Sequence, residues 1–69
     1  METCALRLKE TAKSAQTPQE IWGMAHDLGG IYQEDGDETH DSYWFTDDNS
    51  VAIVNRDTLE VEAVSDIPA

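Results

Sequence analysis

The apolar positions of this chain follow two different periods. Between residues 18 and 28 they recur at helical spacing, as Ile21, Met24, Ala25 and Leu28, with Trp22 on the shoulder of the stripe. The start of that stretch is marked chemically. Thr17 is placed to accept a backbone hydrogen bond as N-cap, Pro18 takes the first helical position, where a missing N–H costs nothing, and Glu20 can close a capping box. Gly29 or Gly30 supplies a left-handed exit, so the pattern predicts a helix over 18–28. Gly23 weakens it by about 1 kcal/mol relative to Ala and therefore reads as a close contact with another element.

Beyond residue 30 the period falls to two. Short runs at 31–33, 42–46, 51–54 and 59–64 read as strands, separated by a polar loop at 34–40 and by the turns DDNS and NRDT. Pairing across those turns leaves two registers open. With two four-residue connections, Tyr43, Phe45, Ala52, Val54, Leu59 and Val61 share one face, and Trp44, Val51, Ile53, Glu60 and Glu62 the other. A three-residue second connection moves Leu59 and Val61 to the side of Trp44, Val51 and Ile53, leaving Tyr43 and Phe45 with the glutamates. In both cases aromatic surface shares a face with Glu60 and Glu62.

The first 16 residues also carry two patterns. Cys4, Leu6 and Leu8 alternate with Ala5, Arg7 and Lys9 as in a strand, whereas Met1, Ala5, Leu8, Ala12 and Ala15 repeat as in a helix. The expected fold is α+β: one helix packed on a three- or four-stranded antiparallel sheet, with a fourth strand if the N-terminal segment pairs. Residues 1–69 form a single small acidic domain, and the acidic loop 34–41 lies at one edge of its sheet.

Composition narrows what such a domain can do. A chain of this length buries only roughly 60% of its unfolded surface, which leaves little core to support an elaborate active site. Leu, Ile, Val and Phe total 13 of 69 residues, a fraction typical of disordered chains. Two Trp, two Tyr and the regular rhythm of turns point instead to a folded chain of small stability, which a second copy would help complete. One cysteine excludes an internal disulfide framework. Neither a leading apolar segment nor a run near 18 apolar residues is present, so the expectation is a cytoplasmic protein that does not engage membranes.

Charge is the dominant chemical feature. Fifteen acids against four bases give a net charge of -11. Three of the bases, Arg7, Lys9 and Lys13, sit in the first 16 residues, and residues 14–55 hold nine acids and no Lys or Arg. Direct nucleic-acid binding needs a basic footprint and is not expected; a basic protein surface is the natural electrostatic partner.

The candidate chemistry follows from these acids. Glu34, Asp35, Asp37, Glu38, Asp41, Asp47 and Asp48, with Trp44 as an apolar anchor, form the candidate protein-binding set. Carboxylates held on a rigid surface can stand where phosphates would, so that the Lys and Arg of a nuclease or other nucleic-acid-binding protein accept them; the alternative is a solvated acidic face. Asp35, Asp37, Thr39 and Asp41 alternate like calcium-loop ligands, but His40 stands where the loop needs Gly and Thr46 where it needs a bidentate Glu, so no metal site is expected. His26, His40 and Cys4 lack zinc-ligand spacing. His26 and Asp27 are adjacent and do not face each other on a helix, Ser42 and Ser50 have no identifiable activating base, and Gly29–Gly30 is no phosphate-cradling fingerprint. No catalytic residue and no cofactor are therefore expected.

In size and charge, though in no motif, the chain is similar to the small inhibitory proteins that phages and other mobile elements use against host nucleases. That likeness implies a stoichiometric inhibitor and assigns no residue a role. The competing expectation is a structural or assembly subunit that forms a homodimer through its sheet.

Overall fold

The computed structural model describes residues 3–33 and 38–65. In chain order these form α1 (Cys4–Thr11), a 3-10 turn (Ala12–Ser14), α2 (Pro18–Asp27), β1 (Gly30–Gln33), β2 (His40–Phe45), β3 (Ser50–Asn55) and β4 (Val61–Ser65). The strands make one antiparallel sheet in the order β1-β2-β3-β4, and the helices pack on one side of it. The architecture is α+β: a four-stranded antiparallel sheet carries the expected helix α2 over β1 and a second helix, α1, over β3 and β4.

The fourth strand is Gly30–Gln33, because the N-terminal segment joins the helical layer. The alternation of Cys4, Leu6 and Leu8 loses to the helical repeat: Ala5, Leu8 and Ala12 are buried while Arg7 and Lys9 are exposed. Both ends of the decision are visible. Thr3 caps the helix by accepting from Leu6 N–H at 3.1 Å, and the first-turn amides of Cys4 and Ala5 donate to Asp48 Oδ2 at 2.7 Å and Ser50 Oγ at 3.2 Å. Partners more than forty residues away thus take the donors that a helix start leaves open.

Helix α2 begins as its sequence predicts. Thr17 Oγ1 accepts from Glu20 N–H at 3.2 Å and Pro18 stands at the first position, but the capping box closes one residue early, with Glu20 Oε2 accepting from Gln16 N–H at 2.6 Å instead of from the N-cap Thr17. Gly29 provides the exit at φ +85°. The reading of Gly23 is corrected: a Cβ there would meet nothing within 4 Å, so no element approaches it. The close approach is at Gly30, where a Cβ would lie 2.8 Å from the Phe45 ring and 2.9 Å from the Ala25 carbonyl oxygen.

The sheet adopts the first of the two partitions. Tyr43 pairs with Ala52 and Val54 with Val61, so Tyr43, Phe45, Ala52, Val54 and Val61 face the helices, joining Ala5, Leu8, Ile21 and Ala25 in the core. The connections differ from the expected turns by a few residues. Residues 46–49 join β2 to β3, and β4 begins at Val61, so Leu59 and Glu60 stand outside the strand. Asn49 and Leu59 both take left-handed backbone angles (φ 59° and 65°) at the ends of these connections. Asn55 Oδ1 accepts from Asp57 and Thr58 N–H at 2.8 and 3.1 Å, and Leu59 N–H returns to the Asn55 carbonyl at 2.7 Å. This side-chain-built turn holds Leu59 in a conformation costing roughly 1–2 kcal/mol, while its side chain packs on the core edge.

Candidate functional site

Both helices lie on one side of the sheet, and among the described residues no element packs on its other face. The registers place Ile31 opposite Trp44, Trp44 opposite Val51 and Val51 opposite Val64. These four residues form one apolar row perpendicular to the strands, crossing all of them. Ile31, Trp44 and Val64 are 47%, 38% and 37% exposed. The next row on this face runs Gln33, Ser42, Ile53 and Glu62, so a mixed row, with one carboxylate and one further apolar side chain, borders the apolar one. Trp44 is oriented by its indole N–H, which donates to Asn49 Oδ1 at 3.0 Å; the left-handed Asn49 therefore serves both the turn and the tryptophan.

The acids of the candidate set are distributed rather than gathered. Glu34, Asp35 and Asp37 lie outside the described residues. Glu38 precedes β2, whereas Asp47 and Asp48 follow it, so these groups flank opposite ends of one strand. Asp47 is exposed. Asp41 is buried on the helix-side face, accepts from the Tyr32 hydroxyl at 3.2 Å and pairs with Arg56 Nη1 at 3.5 Å. The Arg56 guanidinium also donates to the Glu38 carbonyl oxygen, tying the start of β2 to the β3–β4 connection.

Asp48 is committed to the helix layer. Beyond the Cys4 amide it accepts from Ser50 Oγ at 2.6 Å and Ser50 N–H at 3.2 Å. These hydrogen bonds, the Ser50 hydroxyl first, hold its carboxyl below the usual carboxylate range. The same neighbourhood raises the Cys4 thiol, through burial first and the Asp48 charge second. Burial, then the Asp41 charge and Tyr32, pushes the Tyr43 phenol up to about 12, and its ring meets Tyr32 edge-on at 5.7 Å. Asp41 and Asp48 thus have structural duties that the sequence pattern did not reveal, while Trp44 and Asp47 remain at the surface.

Among the described residues no group of three His, Cys, Asp or Glu is placed to hold a metal ion, and no helix is long and apolar enough to cross a membrane. Trp22 lies exposed on α2 and stacks on His26, with ring centroids 5.5 Å apart. A cleft beside these rings, between α2 and β1, reaches Tyr32 and Tyr43. Sequence reasoning missed Ile31 and Val64 as members of the open row. The period-two pattern contains both, but only the register of a complete four-stranded sheet aligns them with Trp44. Comparison with protein-family models, curated proteins and solved structures finds no match.

Proposed function

We propose that this chain is a stoichiometric protein-binding module that docks the open face of its sheet on a partner with a basic surface. The observation that carries this reading is the row Ile31, Trp44, Val51 and Val64, an uncovered apolar band on a protein of net charge -11. An aromatic anchor within apolar neighbours supplies binding energy, and carboxylates elsewhere on the surface steer and select a cationic partner. A protein whose lysines and arginines handle nucleic acid has that chemistry, and occupying its binding channel would inhibit it. The anchor role falls to Trp44 and the steering role to Asp47, Glu62 and the acids before β2.

The test is capture from source-cell lysate by wild type and Trp44→Asp, at about 0.15 M and about 0.5 M salt. Recovery of one basic nucleic-acid-binding protein, lost with Trp44→Asp and reduced at high salt, supports the reading. Recovery of nothing, or of further copies of this chain alone, overturns it; the latter moves the open face to self-assembly.

A further inference from the structure

The edge strand β4 borders a second feature of this molecule. Asn55 N–H donates to the Glu60 carbonyl at 2.8 Å, one step beyond Val54 and Val61, which makes that last pair of the β3–β4 ladder a non-hydrogen-bonded one. Antiparallel pairs alternate, so Ile53 with Glu62 and Val51 with Val64 are the next bonded pairs. The backbone N–H and C=O groups of Val61 and Ala63 consequently point away from β3, along the outer edge of the sheet. On the helix side that edge opens into a cleft of about 640 Å³ between β4 and the α1 layer. Ala12, Ala15, Leu59 and Val61 give the cleft an apolar lining, while Lys9 and Lys13 stand on its helix rim and Glu60 and Glu62 on its sheet rim.

We propose that this edge and cleft receive an extended segment of the basic partner, which adds to β4 as an antiparallel fifth strand. The inference deepens the function proposed above and names how its partner is held. A strand laid along β4 satisfies the outward groups of Val61 and Ala63, and its side chains alternate between the two faces. Residues opposite Val61 and Ala63 enter the cleft over Ala12, Ala15 and Leu59, where small or medium apolar side chains fit. The residue opposite Val64 extends the open apolar row by one strand. Residues opposite Glu62 and Glu60 lie on the sheet rim, where Lys or Arg is the complementary choice.

The opposed charges of the two rims fix the register. A slip by one residue would exchange the guest's faces and carry its lysines into the cleft beneath Lys9 and Lys13. A second copy of this chain meets the same edge less well, because its β4 carries Glu62 and each copy brings a net charge of -11.

The probe is the blocked pentapeptide acetyl-Val-Val-Lys-Val-Lys-amide, titrated into the full chain at about 0.02 M salt, with amide exchange followed by NMR. At saturation the Val61 and Ala63 amides are expected to exchange about tenfold more slowly, with no comparable change at Glu62 and Val64, whose amides already bond to β3. N-methylation of the second and fourth residues, whose nitrogens face β4, abolishes this protection, whereas N-methylation of the two lysines leaves it. Ala63→Pro removes one outward donor at an edge where proline is tolerated, and should weaken peptide binding at least fivefold with the circular dichroism unchanged.

Salt-sensitive peptide binding without protection of Val61 and Ala63 overturns the inference in favour of loose charge attraction. Protection that grows with protein concentration in the absence of peptide overturns it in favour of β4 self-pairing. Loss of lysate capture on Trp44→Asp alongside no effect of backbone methylation would sink the fifth strand alone, leaving the open-face reading in place.

Discussion

The two faces of one sheet are built from similar residues and have opposite fates. Tyr43, Phe45, Ala52 and Val54 are buried under the helices, whereas Ile31, Trp44 and Val64, on the opposite face of the same sheet, remain more than a third exposed. Residue type does not separate the faces. What separates them is the helical layer: α1 lies over β3 and β4, α2 over β1, and each helix is amphipathic along one stripe only. The covered face holds the fold together, and the open face leaves an apolar row at the surface.

The contrast is broken most severely at Phe45. Phe45→Ala empties a fully buried site and should cost about 3–5 kcal/mol, enough to unfold much of a small domain. Trp44→Ala, its neighbour on the other face, should cost under about 1 kcal/mol and leave the denaturation midpoint close to wild type. Equal losses at both positions in urea denaturation would show that the open face is covered in solution.

The next effect is titration on the covered side. Tyr43 has an ordinary pKa near 10, raised to about 12 in the fold. Its stabilising contribution is complete below pH 10 and is lost as the pH rises through about 12, by at most about 3 kcal/mol. Urea midpoints measured from pH 9 to 12 should therefore fall for wild type, and fall less for Tyr43→Phe. A parallel fall in both proteins would assign alkaline lability to other groups.

Gly30→Ala sharpens the comparison at the closest helix–sheet approach. Its Cβ would enter the space of the Phe45 ring and the Ala25 carbonyl, and should destabilise by about 1–3 kcal/mol. The smallest effect has the opposite sign. Gly23→Ala adds a methyl to helix α2 where nothing lies within 4 Å, and should stabilise by about 1 kcal/mol in the same denaturation assay. A loss of stability there would mean that the outer surface of α2 is packed.

The candidate site was legible only in part. Trp44 on a face with Glu62 follows from alternation, and the acidic bias follows from composition. The roles of Asp41 and Asp48 do not, because their partners Tyr32, Arg56, Cys4 and Ser50 include residues 9 to 44 positions away. In the candidate set these two carboxylates looked the same as Asp47. Tertiary hydrogen bonding made one of them a clasp between β2, β1 and the β3–β4 connection, and the other a cap for α1.

Local chemistry accounts for what the sequence determined by itself. Helix α2, its Thr17–Pro18 start and its glycine exit depend on groups within a few residues of one another, and the α+β class follows from the change of period after residue 30. The rest was a choice among locally equivalent states. The N-terminal segment satisfies strand and helix patterns alike until Asp48 and Ser50 take the first amides of α1. The register of β4 is likewise balanced until Asn55 builds a turn that holds Leu59 left-handed and returns Val61 opposite Val54. Both decisions rest on pairings between distant parts of the chain, whose free energy exists only once the sheet and helices have come together.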